Sequence, residues 1–319
     1  MRIIKGTDPI EVPHPVFMIF GQPGICKTSL AYSMRDALLL DFDQGAHRAV
    51  NRKDTLQIGA WADVDELLKS REALEGYASI VVDTAGRALD VLTADIAATD
   101  PKKAPGGNLS QQGWGVLKTR FRQFVASVKA MGKDLLLVSH DKEDKDGDVR
   151  VVRPDIVGGS YGEVMKNADF VGYLYMNGRD RVLDFNPTDR WIGKNPARWA
   201  PFRVPEAGKA TDFLAALYAQ GREALGHISE ASAMALKEVE TWREKIAAFT
   251  GAAQFNAAIP EANKLNALLQ PQVKKMLLDC ATSAGLTFDT GKRCFVDPVK
   301  TPAVLENELP QPATAGSMF

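Results

Sequence analysis

Between residues 16 and 187, short apolar runs alternate with stretches whose apolar residues recur every three or four positions. The runs have the length and the β-branched content of strands buried on both faces, and the stretches between them have the period of helices with one buried face. VFMIF (16–20), ALLLDFD (37–43), SIVVD (79–83), DLLLVS (134–139), DFVGYLY (169–175) and RVLDFNP (181–187) read as strands. KTSLAYSMRDA (27–37), VDELLKSREALEGY (64–77), RALDVLTADIAA (87–98) and the stretch from Trp114 to Met131 read as helices. KEDKDGDVRVV (142–152) reads as a charged hairpin turning at Asp146-Gly147. Strands separated by helices predict an α/β fold with a mostly parallel central sheet and crossover helices.

The pattern changes near VPEAGK (204–209), beyond which the chain is Ala-rich and helical. Leu236, Val239, Trp242, Ile246 and Phe249 fall on one helical face. PQVKKMLLDCATSAGL (271–286) is a second such helix, and LTFDTGKRCFV (286–296) reads as a terminal hairpin. The last stretch carries four prolines and little to pack, which predicts a disordered tail. The expected organisation is an α/β domain over 1–205, a small helical domain over 206–297 and a Pro-rich tail over 298–319.

Composition changes this picture little. The chain of 319 residues is 45% hydrophobic and 25% charged, with a net charge of −1, so any nucleic-acid contact must come from a local patch. No apolar run approaches the roughly 20 residues of a membrane span, and the opening MRIIKGTDPIEVPHP lacks a signal-peptide core. A cytosolic location without a membrane partner is expected. Cys26, Cys280 and Cys294 form no C-x-x-C pair, and His14, His47, His140 and His227 sit at no ligand spacing, which argues against a zinc site.

Candidate chemistry concentrates at residues 21 to 29, Gly21, Gln22, Pro23, Gly24, Ile25, Cys26, Lys27, Thr28 and Ser29. They match the phosphate-binding loop pattern G-x-x-x-x-G-K-[ST] except that Cys26 stands where the second glycine belongs. The context fits: Gly21 follows a five-residue apolar strand and Lys27-Thr28 opens a helix. Backbone amides and the helix start would face the β- and γ-phosphates of ATP, with Lys27 neutralising charge and the Thr28 hydroxyl on Mg²⁺. A side chain at 26 points toward phosphate space. Losing one or two charge-assisted hydrogen bonds of about 1.5–3 kcal/mol each lowers affinity roughly ten- to several-thousand-fold. Two readings of Cys26 stand: a deviation, tolerated or damaging, and a redox-sensitive thiol beside a helix start. Asp83 ends the strand SIVVD, where a magnesium-supporting carboxylate belongs; the bland reading is a cap on the next helix.

GQPGICKTSL, LLLDFDQGAHRA, SIVVDTAGR, LLLVSHDKED, RPDIVGGSYGEVMKNADFVGYLY and NPTDRWIGKNPA, in that order, resemble the RecA-like P-loop ATPase core. The resemblance is closer still to phage-encoded ATP-binding proteins of the Sak single-strand-annealing recombinase type, and it spans roughly residues 10 to 205. It implies a RecA-like P-loop NTPase core, ATP and Mg²⁺ as ligands, and a homo-oligomer, ring or filament, on single-stranded DNA. The family's water-activating acid after the second strand falls on Asp43, one methylene shorter than the usual Glu, with Asp41 as the fallback. His140 falls where relatives carry a γ-phosphate sensor, against the reading of a satisfied structural histidine. Arg190 and Lys194 fall where a neighbouring subunit's basic residue completes the site, against the reading of solvated hairpin charges.

From Pro101 to Lys133 the chain carries Lys102, Lys103, Lys118, Arg120, Arg122, Lys129 and Lys133 and no acidic residue. With Trp114 as a stacking face, Lys102, Lys103, Lys118 and Arg120 are candidates for backbone contact with single-stranded DNA. The competing reading is a solvated helix face. The leading expectation is an ATP-binding, ATP-hydrolysing DNA-binding protein in phage recombination. Its C-terminal region would recruit a single-strand-binding or replication protein. Other P-loop NTPases, such as a helicase loader or a kinase-like protein, and a nucleotide-binding scaffold with little turnover remain as alternatives.

Overall fold

The computed structural model describes residues 3–146, 149–267 and 269–297, so the expected hairpin turn at Gly147 and the tail 298–319 lie outside the described residues. The first half of the chain runs β1 (Val16–Gly21), α1 (Lys27–Ala31), β2 (Ala37–Asp41), β3 (Thr55–Gln57), α2 (Trp61–Lys69), β4 (Ser79–Asp83), α3 (Ala85–Thr99), α4 (Gln111–Ala130), β5 (Asp134–Asp146) and β6 (Val149–Pro154). There follow α5 (Tyr161–Asn167), β7 (Phe170–Asn177), β8 (Asp180–Asp184), β9 (Phe202–Val204), α6 (Phe213–Ala247), α7 (Ala252–Asn263), α8 (Gln270–Ser283), β10 (Thr287–Asp289) and β11 (Cys294–Val296).

The sheet order is β3-β2-β4-β5-β1-β7-β8-β9, with β6 paired to β5. β3, β2, β4, β5, β1 and β7 are parallel, and β8 and β9 add antiparallel strands at the far edge. Alternation divides the central strands between two cores. Val16, Met18, Phe20, Leu38, Leu40, Ile80, Val82, Leu135 and Leu137 face one layer together with Phe121 and Phe124 of α4. Phe17, Ile19, Leu39, Val81, Leu136 and Val138 face the other, with Leu214, Leu217 and Tyr218 from the start of α6. Burial on both faces explains why these strands read as unbroken apolar runs.

Several elements differ from the sequence expectation. α1 ends at Ala31 rather than continuing to 37, and just beyond it the Ser33 hydroxyl donates to the Leu30 carbonyl at 2.6 Å and accepts the Leu214 amide at 3.0 Å. Serine hydroxyls compete with the backbone for such partners. β5 runs beyond Ser139 into the charged segment, where it pairs antiparallel with β6. β3, α5, β9 and α7 had no counterpart in the periodicity.

Composition placed the domain boundary near 205, whereas the described residues divide into a unit of Pro9–Glu230 and a second unit of those up to Asp8 and those from Ala231. The start of α6 belongs to the sheet unit because its apolar residues complete the second core. The buried Tyr218 hydroxyl donates to the Leu135 carbonyl at 2.5 Å, and Arg222 Nη1 donates to both carboxylate oxygens of buried Asp134 at 2.9 and 2.8 Å. In the second unit, Trp242, Ile246, Phe255, Val273, Leu277 and Phe295 form a core among α6, α7, α8 and the β10–β11 hairpin.

Asp134 also receives His14 Nδ1 at 3.2 Å, so one carboxylate holds two elements against the sheet. Asp134→Ala is expected to lower stability by about 2–3 kcal/mol by stranding Arg222. The measurement is a lower urea midpoint at unchanged slope.

Candidate functional site

Parallel register brings the chemistry together. Gly21 lies level with His140 across β1 and β5, and Asp41 lies level with Asp83 across β2 and β4. The carboxyl ends of β1, β2 and β4, with His140 midway along β5 where its parallel pairing ends, therefore carry the residues that the sequence singled out, the position where open α/β sheets hold ligands.

The loop from Gly21 to Thr28 is shaped at three points. A side chain on Gly21 would collide with the Leu174 carbonyl of β7. Gly24 has φ 81°, and Cys26 has φ 67° and ψ 35°, the left-handed region that disfavours any residue with a Cβ. Cys26 thus holds the backbone that a glycine adopts readily. Its thiol is exposed, stands 3.7 Å from the Gly24 carbonyl and lines the loop's cleft, so the departure from the pattern adds a side chain there as well as torsional strain. α1 has no side-chain cap, and its first-turn amides have no intrahelical partner.

Lys27 is buried, and its ammonium donates to the carbonyls of Gly21 at 2.7 Å and Gln22 at 2.8 Å. His140 Nδ1 stands 3.4 Å from the same ammonium, and its Nε2 stands 3.3 Å from Asp43 Oδ2. Asp43 Oδ1 accepts from the Thr84 hydroxyl at 3.3 Å and faces Arg87 Nε at 3.7 Å. Lys27, His140 and Asp43 therefore form one connected chain. The Thr28 hydroxyl donates to Asp83 Oδ2 at 2.6 Å. Thr84, joined to Asp83 by a cis peptide bond, caps α3 by accepting from the Arg87 amide at 3.4 Å. That leaves Asp83 facing the loop.

Burial dominates the electrostatics. It pushes the Lys27 ammonium down to about 8, against the raising influence of Asp83, Asp141 and Asp43. Burial likewise pushes the Asp83 carboxyl up to about 6, although the Thr28 hydroxyl and Lys27 pull the other way. At Asp43, burial alone would raise the carboxyl, but the hydrogen bond and charge of His140, together with Thr84 and Arg87, hold it below its ordinary value. Asp43 stays ionised beside the loop, as a proton acceptor must.

Asp41, the fallback acid, is committed elsewhere: its buried carboxylate accepts the Gly45 and Ala46 amides at 3.0 Å each. A cleft of about 360 Å³ is lined by Pro23, Gly24, Cys26, Lys27, Thr28, Ser29, Asp43, Gly45, Arg48, Ala49, Asp83 and His140. An adjoining cleft of about 460 Å³ includes Asp43, Arg48, Thr84, Arg87, His140 and Asp155. Arg48, Thr84 and Arg87 were given no role from the sequence, although QGAHR and DTAGR lie in two of the matching stretches. Among the described residues, no group of three or more His, Cys, Asp or Glu side chains is arranged to hold a metal ion. Thr28 and Asp83 nevertheless offer adjacent hard oxygen donors, which suit Mg²⁺ bound mainly through water and phosphate.

The remaining candidates disperse. Lys194 is exposed and donates to the Ala168 carbonyl at 2.5 Å beside the start of β7. Arg190 is exposed and its carbonyl accepts the Val152 amide at 2.7 Å; neither residue lines the two clefts. Arg120 is committed to Asp95 and, at 3.3 Å, to Asp65, so it is unsuited to bind phosphate. Arg122 pairs with Glu163 at 2.9 Å, Lys103 with Asp100 at 3.0 Å, and Lys133 donates to the Leu74 and Tyr77 carbonyls. Carboxylates from other segments thus balance much of the basic stretch. Lys102 is exposed, Trp114 covers Gly158 and the Lys118 amine lies over Gly159.

The model of the family described as AAA domain matches residues 14–197, more than half of the chain and the whole of this site. The chain belongs to the AAA domain family. It carries its P-loop between β1 and α1, with β5 placed between the loop-bearing β1 and the Asp83-bearing β4. Among solved structures, the chain is similar to the KaiC-like protein PH0186 of the hyperthermophilic archaeon Pyrococcus horikoshii OT3. Identity is 9%, covering 55% of this chain and 86% of that one, with a TM-score of 0.30. No curated protein matches the chain. Among the described residues of this AAA domain protein, no helix is long and apolar enough to cross a membrane.

Two outcomes are expected. Cys26→Gly relieves about 1–2 kcal/mol of left-handed strain against about 0.4–1 kcal/mol of added unfolded-state entropy, so thermal unfolding should shift up by a few degrees. The raised Asp83 carboxyl gives a contribution to stability that is full below about pH 4, its unfolded range, and lost as pH rises through about 6. Asp83→Asn is therefore expected to stabilise the nucleotide-free protein at pH 7.5 by on the order of 2 kcal/mol and to flatten that pH dependence in urea titrations.

Proposed function

We propose that the loop at 21–28 binds Mg²⁺-ATP and that the chain hydrolyses it, with Asp43 accepting the proton of the attacking water and His140 reading the terminal phosphate. The observation that carries this reading is the connected chain Lys27–His140–Asp43 at the loop's mouth, beside the Thr28–Asp83 pair. Lys27 and the loop amides position the triphosphate, Thr28 and Asp83 hold the cation, and the ionised Asp43 orients the water. The cation, when bound, supplies charge neutralisation of the phosphate oxygens.

The ATPase acts on single-stranded DNA in strand annealing or exchange, as a homo-oligomer within the cell. The resemblance to Sak-type recombinases supports this reading. It is also supported by the meeting of two segments, the start of α4 with Trp114 and Lys118, and the loop Val157–Ser160, which follows Asp155. The Asp155 amide donates to the His140 carbonyl at 2.8 Å, so that loop is anchored to the phosphate-reading residue. Lys102, Lys118 and Trp114 are the DNA contacts retained from the basic stretch. A second reading, a nucleotide-binding scaffold without turnover, is favoured by the strained Cys26 backbone.

One experiment separates the readings: the ATPase rate with and without single-stranded DNA, for the parent, Lys27→Ala, Cys26→Gly and a Lys102→Ala/Lys118→Ala double variant. The recombinase reading expects DNA-stimulated turnover in the parent, at least a hundredfold loss in Lys27→Ala, and a salt slope of DNA binding reduced by about 2 in the double variant. Turnover in Cys26→Gly alone would establish the scaffold, and DNA-indifferent turnover would remove the recombination role.

A further inference from the structure

The segment from Phe42 to Val50 is fastened at three places. Its Phe42 amide donates to the Asp83 carbonyl at 2.8 Å. Its middle is held by the Asp41 carboxylate through the Gly45 and Ala46 amides. The Val50 amide donates to the Ser29 hydroxyl of α1 at 3.0 Å, which clips the segment's end to the helix that follows the phosphate loop. Ala46 is buried in the core below. Between these clamps, the short 3₁₀ turn Ala46–Arg48 presents one long basic side chain.

That side chain belongs to Arg48. Its guanidinium folds back over Gly45, where an added Cβ would collide with Nη2, and Arg48 lines both the phosphate-loop cleft and the adjoining cleft. Arg87, the other arginine in the adjoining cleft, is bound to Asp43 and to Asp90 at 3.4 Å. Among the described residues no ion pair involves Arg48. An exposed guanidinium that lacks a carboxylate, on a clamped turn beside Lys27 and Thr28, suits the planar oxygens of a phosphoryl group.

We propose that Arg48 acts in cis as a catalytic residue that binds the terminal phosphate of the triphosphate held by loop 21–28. This rests on the nucleotide reading above and adds to it the group that tells a triphosphate from a diphosphate. In the reaction the water oxygen bonds to the γ-phosphorus as the bond from that phosphorus to the β–γ bridging oxygen breaks. The water's proton passes to Asp43, and ADP and inorganic phosphate leave. Arg48 forms no covalent bond and stabilises charge on the γ-oxygens. The source of that charge is the same chain, whereas Arg190 and Lys194 would have to come from a neighbour.

The test compares the parent with Arg48→Ala, Arg48→Lys and Gly45→Ala, by calorimetric titration with Mg²⁺-ATPγS and with Mg²⁺-ADP, and by steady-state turnover of ATP. Gly45 has φ −104° and ψ −6°, open to any residue, so Gly45→Ala keeps the backbone and displaces only the guanidinium. Arg48→Ala is expected to weaken ATPγS about tenfold or more while leaving ADP unchanged, and to lower kcat about 10²–10³-fold. Gly45→Ala should move in the same direction, and Arg48→Lys should recover binding better than rate. Mixing Arg48→Ala with Lys27→Ala chains should restore no turnover.

Parent-like selectivity and rate in Arg48→Ala would overturn the proposal while the nucleotide reading stands. So would equal loss of ADP and ATPγS, which marks a structural role, or rescue in the mixed sample, which places Arg48 in a neighbour's site. A parent that binds neither nucleotide would overturn both this proposal and the reading beneath it.

Discussion

The site depends on parallel register. With Gly21 level with His140, and Asp41 level with Asp83, four neighbouring strands deliver an ammonium, an imidazole and carboxylates to one rim of the parallel sheet. A slip of one residue in β5 would turn His140 to the opposite face and carry Leu135 and Leu137 out of their core. The same apolar packing that fixes the sheet therefore fixes the distances among Lys27, His140 and Asp43. Neither core can be rearranged without moving the chemistry, because every central strand feeds both cores.

The arrangement is poor for stability and suited to binding. Lys27 and Asp83 are both buried enough to be driven toward their neutral forms, yet each keeps a specific partner, the loop carbonyls for Lys27 and Thr28 for Asp83. Perturbation of this kind, in a cleft and with named partners, marks a site built for added charge. A triphosphate with its cation brings opposite charges to both groups at once. The strained backbone at Cys26 is a third departure from the most stable arrangement, and all three fall within one cleft.

The parallel core was legible in the sequence because strands buried on both faces show as unbroken runs such as VFMIF and SIVVD. The loop was legible because strand, loop and helix follow one another without interruption. Where α1 ends was not: just beyond it the Ser33 hydroxyl accepts an amide 181 residues away, a partner that no local pattern reports. Asp41 and Asp43 could not be ranked from D-F-D alone: alternation puts them on one side, and only the bend over residues 42–44 shows that Asp41 serves backbone amides while Asp43 meets His140. The basic stretch between 101 and 133 was visible as composition. Its neutralising partners, Asp65, Asp95 and Glu163, come from α2, α3 and α5, and no local pattern reports them.

Cys26 shows which level of structure decides the loop's shape. Other non-glycine residues with positive φ include Asp36 and Asn51, types that tolerate the left-handed region. Cysteine has no such tolerance and here no side-chain cap to offer α1. The conformation persists because its surroundings over-determine it: Gly21 is pressed against Leu174, Lys27 bonds two carbonyls of the loop, and Thr28 is bonded to Asp83. A second glycine makes such a loop easier to form. The contacts on either side of position 26 hold the form that the loop takes with cysteine there.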